Sequence, residues 1–180
     1  KKTMTSLAQS ILGNHYLGKG TLQKSDQPFD VWLCLKKDLY AFVTFEGKLI
    51  GLDVDELSYS AEDRIKMTTS DYVIASFVPH TDESMLFVTQ TGKVIHREFE
   101  SLELSKSPLA KGQAPISPPK LEQGVRFIGA ASVRDADRSA VLDSKGNLAI
   151  HLAESVTGSG SIEAEGLILS IGVIPAEASA

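Results

Sequence analysis

One pattern occurs three times in this chain: an apolar run, a short polar turn that ends in glycine, and a second apolar run. The turn glycines are Gly47, Gly92 and Gly146, spaced by roughly 50 residues. Tight β-hairpins have this pattern because glycine can take the positive φ that the turn requires. A period of this length is typical of propellers and related arrays, so the sequence predicts an all-β repeat fold.

A second kind of apolar run recurs in step with the turns. These runs are rich in β-branched and aromatic residues, and they begin at Phe29, Tyr72, Val125 and Gly166. Short runs of this composition favour strands over helices. Each repeat is therefore expected to combine one such companion strand with a hairpin and a polar return segment. The last return, residues 157–161, is short and Gly/Ser-rich and is expected to be a flexible loop.

The repeats divide the chain into three regions. Residues 1–28 are predicted to form a short helix and a loop, because Ser6 and Gln9 make a capping-box pair. Residues 175–180 are predicted to be a tail. The region 29–174 is the predicted repeat domain, with units near 29–70, 71–124 and 125–174.

Composition indicates a soluble globular protein. The 180 residues are 42% hydrophobic and 23% charged, enough to bury a core while keeping a charged surface. No apolar run reaches the length of a membrane span and no signal peptide is recognisable, so we expect a cytoplasmic protein without a membrane partner. The chain begins with Lys1 rather than methionine, which suggests a piece of a longer protein.

The sequence carries no signal for catalysis or for a cofactor. The four histidines are far apart, and none has the spacing of a metal ligand relative to a cysteine or carboxylate. A nucleophile elbow and a Gly-rich phosphate loop are also missing. We therefore predict no catalytic residue, no metal, no cofactor and no enzymatic activity of the chain on its own.

The middle repeat resembles one blade of the C-terminal domain of the bacterial gyrase A subunit and its topoisomerase IV relative. The resemblance lies in LFVTQTGKVIHR (86–97), LAKGQAPI (109–116) and VRFI (125–128). Blades of that family have an apolar strand, a turn ending in Gly-Lys or Gly-Arg, a basic strand, a return with Ala-Lys-Gly and a closing strand. The resemblance implies a propeller-like β-pinwheel whose basic outer edge binds or bends duplex DNA.

Two departures from the family limit what the resemblance implies. The chain has three hairpins where the family has five or six blades, so we expect a partial, open disc of about three blades. The seven-residue box of gyrases, with glutamine, two arginines, two glycines, lysine and glycine, is absent. DNA wrapping is therefore not implied, although topoisomerase catalytic domains are expected partners.

Basic residues concentrate in the middle repeat. The candidate DNA contacts are Lys93, Arg97, Lys106, Lys111, Lys120 and Arg126. On a shared edge they could contact about four to six phosphates, which predicts weak, salt-sensitive binding and association with the bacterial nucleoid. Lys48 and Asn147 hold the place of Lys93 in the other repeats and are expected to contribute little.

Charge leaves other interpretations open. The net charge is −5, and glutamates are interleaved with the basic residues of the middle repeat, as in an ordinary solvated surface. A different class of function also fits the repeats. The chain could be a protein-interaction or oligomerisation module, in which the open strand edges of an incomplete disc pair with another domain or a second copy, without DNA binding.

Overall fold

Strands dominate the part of the chain that the computed structural model describes, residues 38–53, 68–102 and 124–176. In chain order the elements are β1 (Leu39–Thr44), β2 (Leu49–Asp53), β3 (Val73–Phe77), β4 (Ser84–Thr89), β5 (Val94–Glu98), a 3-10 turn (Phe99–Ser101), β6 (Phe127–Val133), β7 (Arg138–Asp143), β8 (Leu148–Leu152), α1 (Ala153–Ser159) and β9 (Ile168–Ile174). The helix predicted within residues 1–28 and most of the predicted tail lie outside the described residues.

The strands form three antiparallel sheets of three strands each. We call them the first sheet (β2-β1-β3), the second sheet (β5-β4-β6) and the third sheet (β8-β7-β9). The first strand of each hairpin is central, and the third strand is the companion strand that follows the hairpin in the chain. Each sheet thus combines a hairpin with the companion run at which the next repeat of the sequence begins. The predicted all-β fold of three repeating units is confirmed.

The three hairpin turns are built alike. The turn glycines, at positions 47, 92 and 146, have φ of 82°, 85° and 86°. Three residues earlier stands a side chain with an acceptor oxygen, which is Thr44, Thr89 or Asp143. This oxygen accepts the N–H of the residue after the glycine, at 3.2, 3.0 and 2.9 Å. The pairing with the companion strand shifts register at this same position in every sheet. The three units therefore share this break in pairing as well as the turn.

The sheets stack on one another through two apolar clusters. Successive side chains of a strand point to opposite faces, so Met85 and Phe87 of β4 pack toward the first sheet and Leu86 and Val88 toward the third. All four are completely buried. The first cluster is completed by Ala41, Val43, Leu49, Phe77, Ile95, Leu102 and Phe127. The second is completed by Val94, Val133, Val141, Ala153, Val156, Ile162 and Ile168.

The return predicted as a flexible loop at 157–161 is different in the structure. Residues 153–159 form the helix α1, so that prediction is wrong for most of the stretch. Ala153 and Val156 bury against the second sheet, and Gly160 closes the helix in the left-handed conformation with φ of 68°. Tertiary burial of two apolar residues outweighs the low helix propensity of the Gly/Ser-rich sequence.

Candidate nucleic-acid interface

Three of the six candidate DNA contacts lie in the described residues. Lys93, Arg97 and Arg126 belong to the second sheet or to its border, and all three are exposed. The other three, Lys106, Lys111 and Lys120, lie outside the described residues.

The structure brings Lys93 and Arg126 to the same end of the second sheet. Lys93 follows the turn glycine, and its N–H donates to the Thr89 hydroxyl at 3.0 Å. The carbonyl oxygen of Arg126 accepts the N–H of Gln90 at 3.0 Å, so its backbone adjoins the same turn. The Arg126 guanidinium donates to the carbonyl oxygen of Val125 at 2.9 Å. Two cations therefore border one turn.

Arg97 lies toward the other end of β5, opposite Met85 of β4. Four residues along a strand place it about 13 Å from Lys93. Its surroundings include acids, since His96 lies 3.5 Å from the Glu98 carboxylate, and Glu98 and Glu100 are exposed. Lys93 and Arg97 thus lie at and along the edge strand β5, whereas Arg126 lies beside β6 at the opposite edge, so the three cations do not form one dense patch.

The lysine of the first sheet that corresponds to Lys93 is engaged in ion pairs. The Lys48 ammonium lies 2.9 Å from the buried carboxylate of Asp71 and 3.2 Å from Glu46. Its hydrogen bond to Asp71 is the main reason that the pKa of Lys48 is raised. In the second sheet Val125 stands two residues before the companion strand, where Asp71 stands in the first. From the sequence, the small contribution of Lys48 could be inferred only from the acidic residues that follow it. The ion pair with Asp71 could not be inferred, because Asp71 is distant along the chain.

The Asp71 carboxylate should make stability depend on pH. Its burial alone would raise the pKa, but the Glu46 N–H, which it accepts at 3.0 Å, and the Lys48 ammonium hold the pKa below its usual value of 3.8. A lowered folded-state pKa stabilises the protein above the unfolded value, and this contribution is lost as pH falls through the folded value. Asp71→Asn should therefore be less stable at neutral pH and lose less further stability in acid. Urea unfolding at neutral pH and below 3.8 measures this, and equal acid losses in both proteins would contradict it.

In the third sheet the corresponding turn is acidic. Asn147 stands in the place of Lys93, and its amide donates to the Asp143 carboxylate at 3.0 Å. The hydrogen bond from the Asn147 backbone is the main reason that the pKa of Asp143 is lowered, so this carboxylate stays ionised. Lys145 in the same turn lies 3.5 Å from Glu165. This turn therefore has no lysine at the position of Lys93.

The described surface as a whole is acidic. Residues 38–53, 68–102 and 124–176 contain seven Lys and Arg against fourteen Asp and Glu. Eleven of the 18 basic residues of the chain therefore lie outside these ranges. Any attraction to phosphate by the described part must come from local clusters such as the Lys93 turn, since its net field is repulsive.

An apolar groove near the first turn has no counterpart in the sequence predictions. It has a volume of about 640 Å³ and is lined by Phe45, Tyr72, Val73, Ile74, Phe127, Ile128 and Leu169. The rings of Phe45 and Tyr72 stack with centroids 4.9 Å apart, and Tyr72 is half exposed. The sequence predicts that Tyr72 begins a strand. Its stacking partner Phe45 lies in the turn between β1 and β2, so this contact could not be inferred from the sequence.

Neither a protein-family model nor a curated protein sequence matches the chain. Within the described residues, no helix is long and apolar enough to cross a membrane, and no group of three His, Cys, Asp or Glu side chains could hold a metal ion.

Solved structures do match. The C-terminal domain of DNA topoisomerase IV is similar over 87% of this chain, with a TM-score of 0.71 and 20% identity. The DNA gyrase A C-terminal domain is similar over 67%, with a TM-score of 0.58 and 16% identity. The E. coli ParC C-terminal domain is similar over 87%, with a TM-score of 0.61 and 14% identity.

The chain is shorter than these structures. It spans 53% of the topoisomerase IV domain, 39% of the gyrase A domain and 70% of the ParC domain. This chain therefore has the fold of the C-terminal domains of topoisomerase IV and gyrase A.

Proposed function

We propose that this chain is a non-catalytic accessory domain that binds or bends duplex DNA through the basic edge of its second sheet. The likeness in fold to the C-terminal domains of two DNA topoisomerases is the observation that carries this proposal. The exposed positions of Arg97 on the edge strand β5 and of Lys93 directly before that strand support it. Phosphate binding needs cations that a duplex can reach, and an edge strand offers them.

The charge balance sets the expected strength of binding. Fourteen acids against seven bases in the described residues argue against tight binding. Lys106, Lys111 and Lys120 belong to the same repeat and bring its candidate contacts to six. A protein that neutralises about four to six phosphates binds weakly at physiological salt and loses affinity steeply as salt rises. We therefore propose a weak, salt-sensitive complex.

Fluorescence anisotropy with a labelled duplex at several salt concentrations tests the proposal. Replacing Lys93, Arg97 and Lys111 together by alanine should weaken binding almost equally for all sequences. The slope of log affinity against log salt should fall by about 2 to 3 units, because each lost phosphate contact releases about one counterion fewer.

A control variant with the same loss of charge separates local contacts from net charge. Alanine at Arg134, Arg138 and Lys145 removes three cations outside the second hairpin. The Arg134 and Lys145 side chains already face carboxylates, at 2.9 and 3.5 Å. We expect the control to keep most of the salt slope. An unchanged slope in the first variant, or no binding by the parent at low salt, would overturn the proposal.

The setting of the domain follows from the same proposal. We infer that it works beside the catalytic domains of a type II topoisomerase in the bacterial cytoplasm, at the nucleoid. It would supply DNA contacts and no reacting group of its own. If the titration shows no DNA binding, the acidic described surface favours the alternative of a protein-interaction module that uses open strand edges.

A further inference from the structure

A loop of the third repeat is fixed on the turn of the second sheet. It comprises residues 162–168, and we call it the acidic loop. At one end of the loop, the Ile162 N–H donates to the carbonyl oxygen of Gly92 at 2.7 Å. At the other end, the Ile168 N–H donates to the carbonyl oxygen of Gln90 at 2.8 Å. The acidic loop therefore begins and ends at this one turn.

The acidic loop is also tied to the turn of the third sheet. The Leu167 N–H donates to the Ser144 hydroxyl at 3.0 Å, and the Ser144 N–H donates to the carbonyl oxygen of Leu167 at 2.8 Å. A Cβ atom at Gly166 would overlap the Ser144 side chain, so the loop lies close against this turn. Ile162 and Ile168 are buried in the cluster between the second and third sheets. Hydrogen bonds and buried side chains thus hold the loop between the two turns.

The acidic loop carries two carboxylates and no cation. Glu163 and Glu165 are both exposed, and Glu165 lies 3.5 Å from Lys145 in the turn of the third sheet. Ser161, just before the loop, pairs with Lys93 in an isolated antiparallel β-bridge. Bridge partners have Cα atoms about 5 Å apart, and two further residues extend the chain by at most about 7 Å. The backbone of Glu163 therefore lies within about 9 Å of that of Lys93.

The turn of the second sheet contains no acid of its own. Its residues 89–94 are TQTGKV, whereas the turns of the first and third sheets contain Glu46 and Asp143. The carboxylates of the acidic loop are thus supplied to this turn by another repeat. Charges act over about one Debye length, which is about 8 Å at physiological ionic strength. The acidic loop is therefore close enough to repel a phosphate that binds at this turn.

We propose that the acidic loop restrains DNA binding by the second sheet. The carboxylates of Glu163 and Glu165 repel duplex phosphates from the turn that carries Lys93 and so keep the affinity low. This inference rests on the proposed function, because it concerns the regulation of the same site. The restraint is part of the fold, since backbone hydrogen bonds hold the loop on the turn. Neutralising the two carboxylates should therefore strengthen DNA binding.

Fluorescence anisotropy of the full 180-residue chain with a labelled duplex tests this inference. The double variant Glu163→Gln with Glu165→Gln keeps the size and polarity of both side chains and removes two negative charges. Its affinity should rise about 3- to 10-fold at about 50 mM salt, and less than about 2-fold at about 300 mM, because salt screens the repulsion. Glu163→Gln alone leaves the ion pair between Lys145 and Glu165 intact and should give a gain of about 2- to 3-fold at low salt.

Asp135→Asn with Glu154→Gln is the matched control. Both side chains are exposed, and the Glu154 N–H donates to the carbonyl oxygen of Asp135 at 3.3 Å, before β7 begins. The six residues of β7 separate this end of the third sheet from its turn by about 17 to 20 Å. The control changes the net charge by the same amount as the double variant. It should alter the affinity by less than about 1.5-fold, because its charges lie beyond the Debye length.

The outcomes separate this inference from the proposed function. If the parent binds DNA and the double variant gains no more affinity than the control, the inference is wrong and the proposed function stands. If neither the parent nor the double variant binds at low salt, both are wrong. Circular dichroism melts check that the variants keep the fold of the parent. If the double variant does not fold, the comparison is made with Glu163→Gln alone, which changes one exposed side chain.

Discussion

Replacing Gly92 with valine should cost about 3 to 5 kcal/mol of unfolding free energy and prevent a normal cooperative melt. The backbone at Gly92 has φ of 85°, which a β-branched residue takes only under strain. A Cβ atom there would also overlap the backbone carbonyl oxygen of Ile162, in the segment that covers the turn. The Ile162 N–H donates to the carbonyl oxygen of Gly92 at 2.7 Å, so this segment cannot move away cheaply.

Two control variants separate the causes. At Gly146 φ is 86°, but nothing lies within 4 Å of an added Cβ, so Gly146→Val should cost about 1 to 2 kcal/mol from strain alone. Lys93→Val places a strand-forming residue beside the turn and should cost less than either. Chemical denaturation of the three variants gives the order. Equal losses at Gly92 and Gly146 would show that the contact with Ile162 is unimportant.

An aspartate in place of Val94 should unfold the protein or cost about 3 to 5 kcal/mol. Val94 is 6% exposed and packs between the second and third sheets. A carboxylate placed there loses its hydration and finds no partner among the apolar side chains of the cluster. The loss can be measured as a shift of the urea midpoint at neutral pH.

Leu148→Asp is the matched control for this substitution. Leu148 holds the same place in the third repeat but is 67% exposed. Its replacement should change the stability of the monomer by less than about 1 kcal/mol, as surface substitutions usually do. A large loss at position 148 in a dilute, monomeric sample would mean that its side chain is already covered within one chain.

Much of the fold could be predicted from the sequence because its cause is local. Each turn needs a glycine with positive φ between two apolar runs, and both features can be read from adjacent positions in the sequence. The companion runs could be recognised as strands for the same reason. The failed loop prediction at 157–161 is also instructive, since the helix Ala153–Ser159 depends on the burial of Ala153 and Val156 against a sheet distant in the sequence.

The candidate site could be predicted only in part. The clustering of cations in the middle repeat is visible in the chain, and the positions of Lys93, Arg97 and Arg126 follow from the strands they border. The sequence does not show which of the candidate cations is best placed to contact DNA. Lys48 looks equivalent to Lys93, and only the folded chain places Asp71 at 2.9 Å from its ammonium.

The sequence by itself determined the repeating hairpins, because turn geometry and strand periodicity are set by neighbours along the chain. The tertiary structure alone decided how the sheets stack, which carboxylates pair with Lys48 and which apolar face of the third sheet is exposed. Val94 and Leu148 have the same local surroundings in the sequence, yet one is buried and the other exposed. The difference arises because burial and ion pairing depend on groups brought together from distant parts of the chain, and a local pattern contains no information about them.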